Sequence, residues 1–189
     1  MNVFFIDRDP RVAARGLVDS HVNKMITESA QLLSTAHRVL DGVERIVLRP
    51  RKNDPDKLYR VHVWKLSDER DNILYQSTHI NHPSAKWVRQ STQHYIWLLQ
   101  HLDEMFKEYT RRWGRYREAQ TTILPVLNIL PNNLNDTGFS DPPCAMPVEY
   151  ITSNDAIVNY RNYYRLGKQN IHKWKLGDPP NWINGVINE

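Results

Sequence analysis

The chain has 189 residues, a mass of 22.3 kDa and a formal net charge of +4. Hydrophobic residues make up 40% of it and charged residues 24%, which is the composition of a globular protein and excludes wholesale disorder. No apolar run approaches the roughly 20 residues of a membrane span, and the single cysteine, Cys144, cannot form an internal disulfide bond. The first seven residues lack a secretory leader. We therefore expect one domain over 1–189 in a reducing cytoplasm, without membrane association.

The N-terminal part of the chain predicts an arm followed by two helices. Residues 3–7 are an apolar run that suits a short strand or an extended arm. Asp9-Pro10 is typical of a helix start, since aspartate caps helices and proline tolerates the first helical position. Asp19 or Ser20 can cap a second helix, which runs to about Leu40 before an Asp-Gly pair ends it.

The segment after this helix differs in character and predicts a β-hairpin. Apolar and β-branched runs at 46–48 and 59–64 flank the turn-rich residues 52–56. The resulting hairpin, over 43–66, interrupts a helical pattern and is interpreted as an insertion.

The C-terminal part returns to helical patterns. Asn81-His82-Pro83-Ser84 begins a long helix to about Arg112, which breaks near Gly114. Residues 123–129 predict a helix kinked at Pro125, and 131–150 predict a long ordered loop. A last helix runs from Asn154 or Asp155 to about Trp174. The fold class is mainly α, a compact helical domain with one hairpin.

The second helix carries a polar stripe beside an apolar one. At 100° per residue, five polar side chains fall within about 80° of one another: His21, Lys24, Glu28, Gln31 and Thr35. A neighbouring face is apolar and includes Met25, Ile26, Leu32, Leu33 and Ala36. The polar stripe therefore lies at the edge of the core, where a cleft wall would be. A solvated Lys24–Glu28 surface pair explains the same spacing.

An amine beside a carboxylate suits cleavage of a glycosidic bond in a nucleoside. The carboxylate stabilises positive charge on the sugar or moves protons, and the amine can attack the anomeric carbon to give a Schiff base. A histidine such as His21 can orient a phosphate or donate a proton.

A second polar cluster opens the next long helix. His79, Asn81, His82, Ser84, Lys86, Trp87 and Arg89 fall within eleven residues. Backbone N–H groups at a helix start bind phosphates, and nearby cations reinforce such a site. His79 and His82 are alternatively metal ligands, or His82 is a helix cap and Trp87 a core residue.

Two further segments mix cations with aromatic rings. Residues 111–117 hold four arginines around Trp113 and Tyr116, and residues 160–175 interleave five cations with tyrosines and a tryptophan. Cations neutralise phosphates and aromatic faces accept unstacked bases, although a solvated helix face beside core aromatics has the same composition.

The run from Asp19 to Leu33 resembles the signature helix of the pyrimidine-dimer DNA glycosylase family. A histidine precedes the catalytic glutamate of the phage enzyme in that family by seven positions, as His21 precedes Glu28 here. Bacterial relatives match Asp19, Lys24, Glu28, Gln31 and Leu33, and carry an element similar to Asn81-His82-Pro83…Trp87. The C-terminal Tyr160-Arg161-Asn162-Tyr163-Tyr164…Lys168 is faintly similar to the end of the phage enzyme. The chain also resembles uncharacterised phage proteins.

This resemblance implies a small helical, metal- and cofactor-independent enzyme that flips a base out of duplex DNA. Glu28 would be the catalytic carboxylate, and the α-amine of Met1 or the side chain of Lys24 the nucleophile. The implied DNA-binding residues are His21, Gln31, His82, Lys86, Arg89, Arg161, Arg165 and Lys168. The protein would be a monomer in the cytoplasm of a phage-infected bacterium.

The sequence departs from the phage enzyme near the proposed nucleophile. Asn2 is a bulky second residue, which favours retention of Met1. Thr27 and Gln31 stand where that enzyme has arginines. The leading hypothesis is a DNA N-glycosylase, with or without AP-lyase activity, acting on a damaged or modified pyrimidine. Alternatives are an enzyme that acts on hypermodified thymine, a non-catalytic DNA-binding protein and a metal-dependent nuclease.

Overall fold

A computed structural model describes residues 1–176 and 179–185 and is mainly α-helical with one two-stranded hairpin. Its helices and strands are, in chain order, α1 (Pro10–Gly16), α2 (Asp19–Asp41), β1 (Val43–Arg51), β2 (Asp54–Lys65), α3 (Arg70–Ile73), α4 (Pro83–Val88), α5 (Thr92–Trp113), α6 (Ala119–Thr122), α7 (Leu124–Leu127) and α8 (Ala156–Gly167). Short 3₁₀ turns occur at Val148–Tyr150, Gln169–Ile171 and Asn181–Ile183. Among the described residues, no helix is both long and apolar enough to cross a membrane.

Helices α2 and α5 form the centre of the fold. The apolar stripe predicted on α2 is buried in full, from Met25 to Ala36. Helix α5 contributes Tyr95, Leu98, Leu102 and other buried side chains to the same core. The polar stripe of α2 therefore lies along the edge of this core, as the helical periodicity predicts.

The start of α2 differs from the prediction by one residue. Val18 occupies the N-cap position, and Asp19 is the first helical residue. The Asp19 carboxylate is engaged elsewhere: it accepts hydrogen bonds from Arg112 (3.1 Å) and from the backbone N–H of Lys175 (3.1 Å). Asp9 does cap α1, because its carboxylate accepts the Arg11 N–H at 2.8 Å.

The long helix predicted over 81–112 is two helices. Residues 89–91 separate α4 from α5, and Ser91 accepts hydrogen bonds from the backbone N–H groups of Gln93 and Thr137. Ser91 therefore starts a new helix and ties it to the following loop. Gly114 ends α5 in the left-handed conformation, with φ of 63°, as the sequence indicates.

The last helices are shorter than predicted. Residues 123–129 contain only α7, preceded by the separate turn α6, and α8 ends at Gly167 rather than near Trp174. Residues 131–150 are a loop, as predicted, with one 3₁₀ turn at its end. The carboxylate of Asp41 orders the start of this loop by accepting the backbone N–H groups of Asn132 and Asn133.

The predicted hairpin is present over 43–65. Its strands pair antiparallel from Val43↔Lys65 to Pro50↔Leu58, with an irregularity between Pro50 and Arg51. The fully buried Arg38 of α2 holds its base, since Nη1 donates to Trp64 O at 3.0 Å and to Asp71 at 2.5 Å.

His101 is a buried histidine in the middle of α5. It stacks on Trp97 with ring centroids 5.1 Å apart, and neither ring nitrogen has a hydrogen-bond partner among the described residues. Burial in this apolar site lowers the pKa of His101 from 6.5 to about 3, because a charged imidazolium is poorly solvated there.

We expect His101 to make the fold sensitive to acid. Between pH 6.5 and pH 3 the unfolded chain binds the proton and the folded chain does not, so the contribution of this group to stability is lost as the pH falls. For this group the loss at pH 5 relative to pH 8 is about 2 kcal/mol. In urea unfolding, the free energy of unfolding of the His101→Phe variant should fall by about 2 kcal/mol less between pH 8 and pH 5 than that of the parent chain. An equal reduction in His62→Phe, at an exposed hairpin position, would contradict this assignment.

Candidate active site at the N-terminal arm

The N-terminal arm is threaded into the core. Val3, Phe4, Phe5 and Ile6 are all buried. Asn2 fixes the arm at its start, since its side-chain amide donates to Ala145 O at 2.9 Å and its carbonyl oxygen accepts the Phe4 N–H at 2.9 Å. Chain termini fray unless they are tied down, so this anchoring gives the α-amino group a defined position.

The anchored arm brings the α-amino group to Glu28. The Met1 nitrogen lies 3.9 Å from Glu28 Oε2, and Lys24 Nζ lies 3.2 Å from Glu28 Oε1. The Glu28 side chain is 17% exposed and that of Lys24 is 65% exposed. One partly exposed carboxylate thus faces two amines, the pair of groups that the sequence singles out. Exposed ion pairs add at most about 1 kcal/mol to stability, so the arm is held by burial of its apolar side chains rather than by this ion pair.

The segment 78–82 lies against the same face of α2. Thr35 joins them through two hydrogen bonds, as it accepts the Thr78 N–H at 3.1 Å and donates to Thr78 O at 3.3 Å. This pairing places His79 and His82 beside the polar stripe, so the two polar clusters of the sequence meet in the structure.

His82 is neutral in this arrangement and has a defined tautomer. Its Nδ1 accepts the Ser84 N–H at 3.2 Å, so the ring proton resides on Nε2. Burial lowers the pKa of His82, electrostatic interactions with the Met1 α-amine and with His79 lower it further, and the interaction with Glu28 opposes them. His82 therefore lies within the electrostatic field of the amine–carboxylate pair.

His21 lies in a second, more buried arrangement. Its Nδ1 is 3.1 Å from the Tyr164 hydroxyl, which itself accepts the Val18 N–H at 2.8 Å. The ring stacks on Phe4 with centroids 4.3 Å apart. Burial, followed by the charges of Lys168 and Lys24, lowers the pKa of His21 to about 4. His21 is therefore a neutral group that links the arm, α2 and α8.

Backbone strain is concentrated at this site. Within residues 1–176 and 179–185, the non-glycine residues with positive φ are Phe4, at 45°, and His79, at 48°. Phe4 belongs to the arm, and His79 belongs to the segment that faces Glu28. Such conformations cost about 1–3 kcal/mol each and persist where the surrounding structure enforces them, commonly at functional sites.

The other residues predicted to bind DNA fall into two groups. Gln31 is half-buried beside Glu28 on α2, Lys86 is exposed on α4, and Lys168 lies over the Tyr163 ring at 4.8 Å. Arg89 is half-buried, and burial lowers its pKa.

Arg161 and Arg165 have structural partners. Arg161 donates to Ile6 O at 2.8 Å and to Asp7 at 3.2 Å, so it secures the arm. Arg165 donates to Gly185 O at 2.7 Å. Of the arginines at 111–117, Arg112 is buried and donates to Glu108 at 2.9 Å, whereas Arg111 and Arg115 are exposed, as on a solvated helix face.

The sequence did not single out Phe4 or the Tyr164 hydroxyl as parts of the site. Tyr164 was noted only as one aromatic ring among several, and the strained turn at Phe4 has no sequence signal, because it depends on how the arm meets α2. A cavity of about 690 Å³ also opens at the start of α2, lined by Ser20, Trp113, His172 and Lys173 among others. The His172 ring nitrogen Nε2 is 2.9 Å from Tyr164 O.

Comparison with protein-family models, curated proteins and solved structures found no match to this chain. Across the described ranges there is also no group of three or more His, Cys, Asp or Glu side chains arranged to hold a metal ion.

Proposed function

We propose that this protein is a DNA N-glycosylase that removes a damaged or modified pyrimidine from duplex DNA through an amine nucleophile, with an AP-lyase step. The observation that carries the proposal is the anchored α-amine of Met1 beside the Glu28 carboxylate, in a site flanked by strained Phe4 and His79. The resemblance of residues 19–33 to the pyrimidine-dimer DNA glycosylase family supports the same assignment of Glu28.

In the proposed reaction, Glu28 first accepts a proton from the Met1 ammonium group, and the freed amine attacks C1′ of the deoxyribose. The N-glycosidic bond breaks, its electron pair leaves with the pyrimidine, and the Glu28 carboxylic acid returns the proton to the base. A second proton on the attached nitrogen passes to O4′ as the C1′–O4′ bond breaks. A Schiff base results. Glu28, ionised again, then takes a proton from C2′, and the C3′–O bond breaks as the C2′–C3′ double bond forms, so the 3′-phosphate leaves and the strand is nicked.

Neighbouring residues suit this chemistry. Neutral His82 presents Nε2–H, which can donate to a phosphate or sugar oxygen without adding a charge that would repel the amine. Gln31, Lys86, Arg89 and Lys168 would hold the phosphodiester, and His21 would fix the arm through Phe4. The open position of Lys24 and Glu28 suits a large substrate such as a duplex.

The proposal is tested by borohydride trapping in EDTA. A duplex with one abasic site presents the C1′ aldehyde that remains after any pyrimidine has been removed. It therefore tests for a nucleophilic amine even though the lesion is not identified. We expect a covalent protein–DNA adduct on this duplex. Ultraviolet-irradiated DNA and phage DNA with hypermodified pyrimidines, beside untreated DNA, then identify the base that is released.

The outcomes separate the candidate functions. An adduct together with base release establishes the glycosylase with its lyase step. DNA binding with no adduct and no base release on any of these substrates would overturn the proposal in favour of a non-catalytic DNA-binding protein. Because EDTA is present, a metal-dependent nuclease gives no signal here, and strand cleavage that appears only with added Mg²⁺ would also contradict the proposal.

A further inference from the structure

The hairpin formed by β1 and β2 stands apart from the core. None of residues 43–62 is buried, and the base alone is anchored, through Val63, Arg38 and the Lys65–Asp71 ion pair at 3.0 Å. A two-stranded hairpin with both faces in water is only marginally stable by itself. A hairpin of this length is therefore expected to gain stability from a bound partner.

The hairpin carries the charge excess of the whole chain. Residues 43–65 contain seven Lys and Arg against three Asp and Glu, an excess of four. The complete sequence has a net charge of +4, so the remaining residues sum to zero. The partner that such a projection attracts is an anion, and a second copy of the same hairpin would be repelled.

The strand register places three cations of the paired residues on one face and one on the other. Partners in the ladder share a face, so Arg45, Arg49 and Lys65 lie on the same side as Tyr59, with four valines between them. The opposite face holds Arg60 beside Ile46, Leu48 and Leu58. A two-stranded ribbon fits the major groove of B-DNA, which is about 12 Å wide, whereas the major groove of A-form RNA is too narrow.

We propose that the β1–β2 hairpin is a DNA-binding ribbon that grips the duplex beside the site of base removal. The inference rests on the proposed function for the substrate, duplex DNA, and for the place of base removal at Glu28. Helix α2 spans about 20 Å between Glu28 and Asp41, at 1.5 Å per residue. This distance equals the length of about six base pairs, at 3.4 Å per pair, so one duplex is long enough to reach both Glu28 and the hairpin base.

The test measures binding of the complete chain to an undamaged 30-base-pair duplex at several salt concentrations. The slope of log K against log salt reports the number of phosphates neutralised, at about 0.9 per contact. The variant Arg45→Gln/Arg49→Gln should reduce the magnitude of this slope by about 2. The matched control Arg11→Gln/Lys107→Gln removes the same charge from exposed positions on α1 and α5 and should leave the slope near that of the parent.

A truncated hairpin gives an independent measurement. Residues 48–60 are replaced by Asn-Gly, which joins the paired residues Val47 and Val61 by a two-residue turn and removes no buried side chain. We expect weaker duplex binding and an unchanged mass by light scattering. An unchanged salt slope in both variants would overturn the inference. A change from dimer to monomer mass with unchanged DNA affinity would also overturn it, because the hairpin would then bind a second copy of the chain. These measurements need no catalysis, so they test DNA binding by the hairpin even if the chain has no glycosylase activity.

Discussion

Replacing Glu28 by glutamine should lower base release and adduct formation by about 10²–10⁴-fold, the range found for groups that transfer protons in a transition state. Glutamine keeps the shape of the side chain but can neither accept the proton of the Met1 ammonium group nor return one to the leaving base. The 3.9 Å separation of the two groups places this proton transfer within reach of a small side-chain movement.

The same variant should bind DNA at least as tightly as the parent chain. Removal of a carboxylate removes one negative charge that faces the phosphates, so duplex affinity is expected to stay level or rise. Single-turnover assays and fluorescence anisotropy on the same duplex separate the two effects. Glu69→Gln is the matched control, because Glu69 is an exposed glutamate at the start of α3. Full activity of Glu28→Gln would remove Glu28 from the reaction.

The sequence predicts those parts of the fold that depend on local periodicity. The apolar stripe of α2, the cap at Asp9 and the glycine that ends α5 follow from spacing and from residue type, and the structure confirms each of them. The hairpin follows from two β-branched runs around a turn. All of these features are decided by residues close to one another along the chain, within single helices or one hairpin.

Features that depend on distant partners escape such arguments. The helix at 81–112 is predicted as continuous because no glycine or proline interrupts residues 84–113. In the structure, Ser91 bonds to Asp136 and Thr137 and starts a new helix. Asp19 is predicted to cap α2 because the neighbouring sequence does not reveal its actual partner, Arg112, which is 93 positions away. A local pattern cannot show that a side chain is hydrogen-bonded to a residue far away in the sequence.

The candidate site shows the same division. Helical angles predict that Lys24 and Glu28 share a face, and the 3.2 Å ion pair agrees. Angles on one helix cannot place the chain terminus, so only the family resemblance predicts the Met1 amine beside Glu28. In the structure, the packing of Val3–Ile6 holds the amine at that position. The meeting of His82 with this pair depends on the Thr35–Thr78 contact, which joins positions 43 residues apart and has no signal in the sequence.

Blocking the α-amine should abolish the trapped adduct, whereas loss of the Lys24 amine should not. An extension of Gly-Ser before Met1 converts this nitrogen into an amide, which is not nucleophilic, and adds bulk where the nitrogen meets Glu28. Lys24→Arg keeps the positive charge near Glu28 but removes the primary amine, and its exposed side chain can accommodate the change. We therefore expect at least a 100-fold loss of borohydride-trapped adduct in the extended chain and a near-parental yield in Lys24→Arg, with peptide mapping of the parent adduct to Met1. The opposite result would assign the nucleophile to Lys24 and leave the arm a structural role. Circular dichroism and duplex affinity of both variants show whether the arm still packs, so a fold defect is not mistaken for loss of the amine.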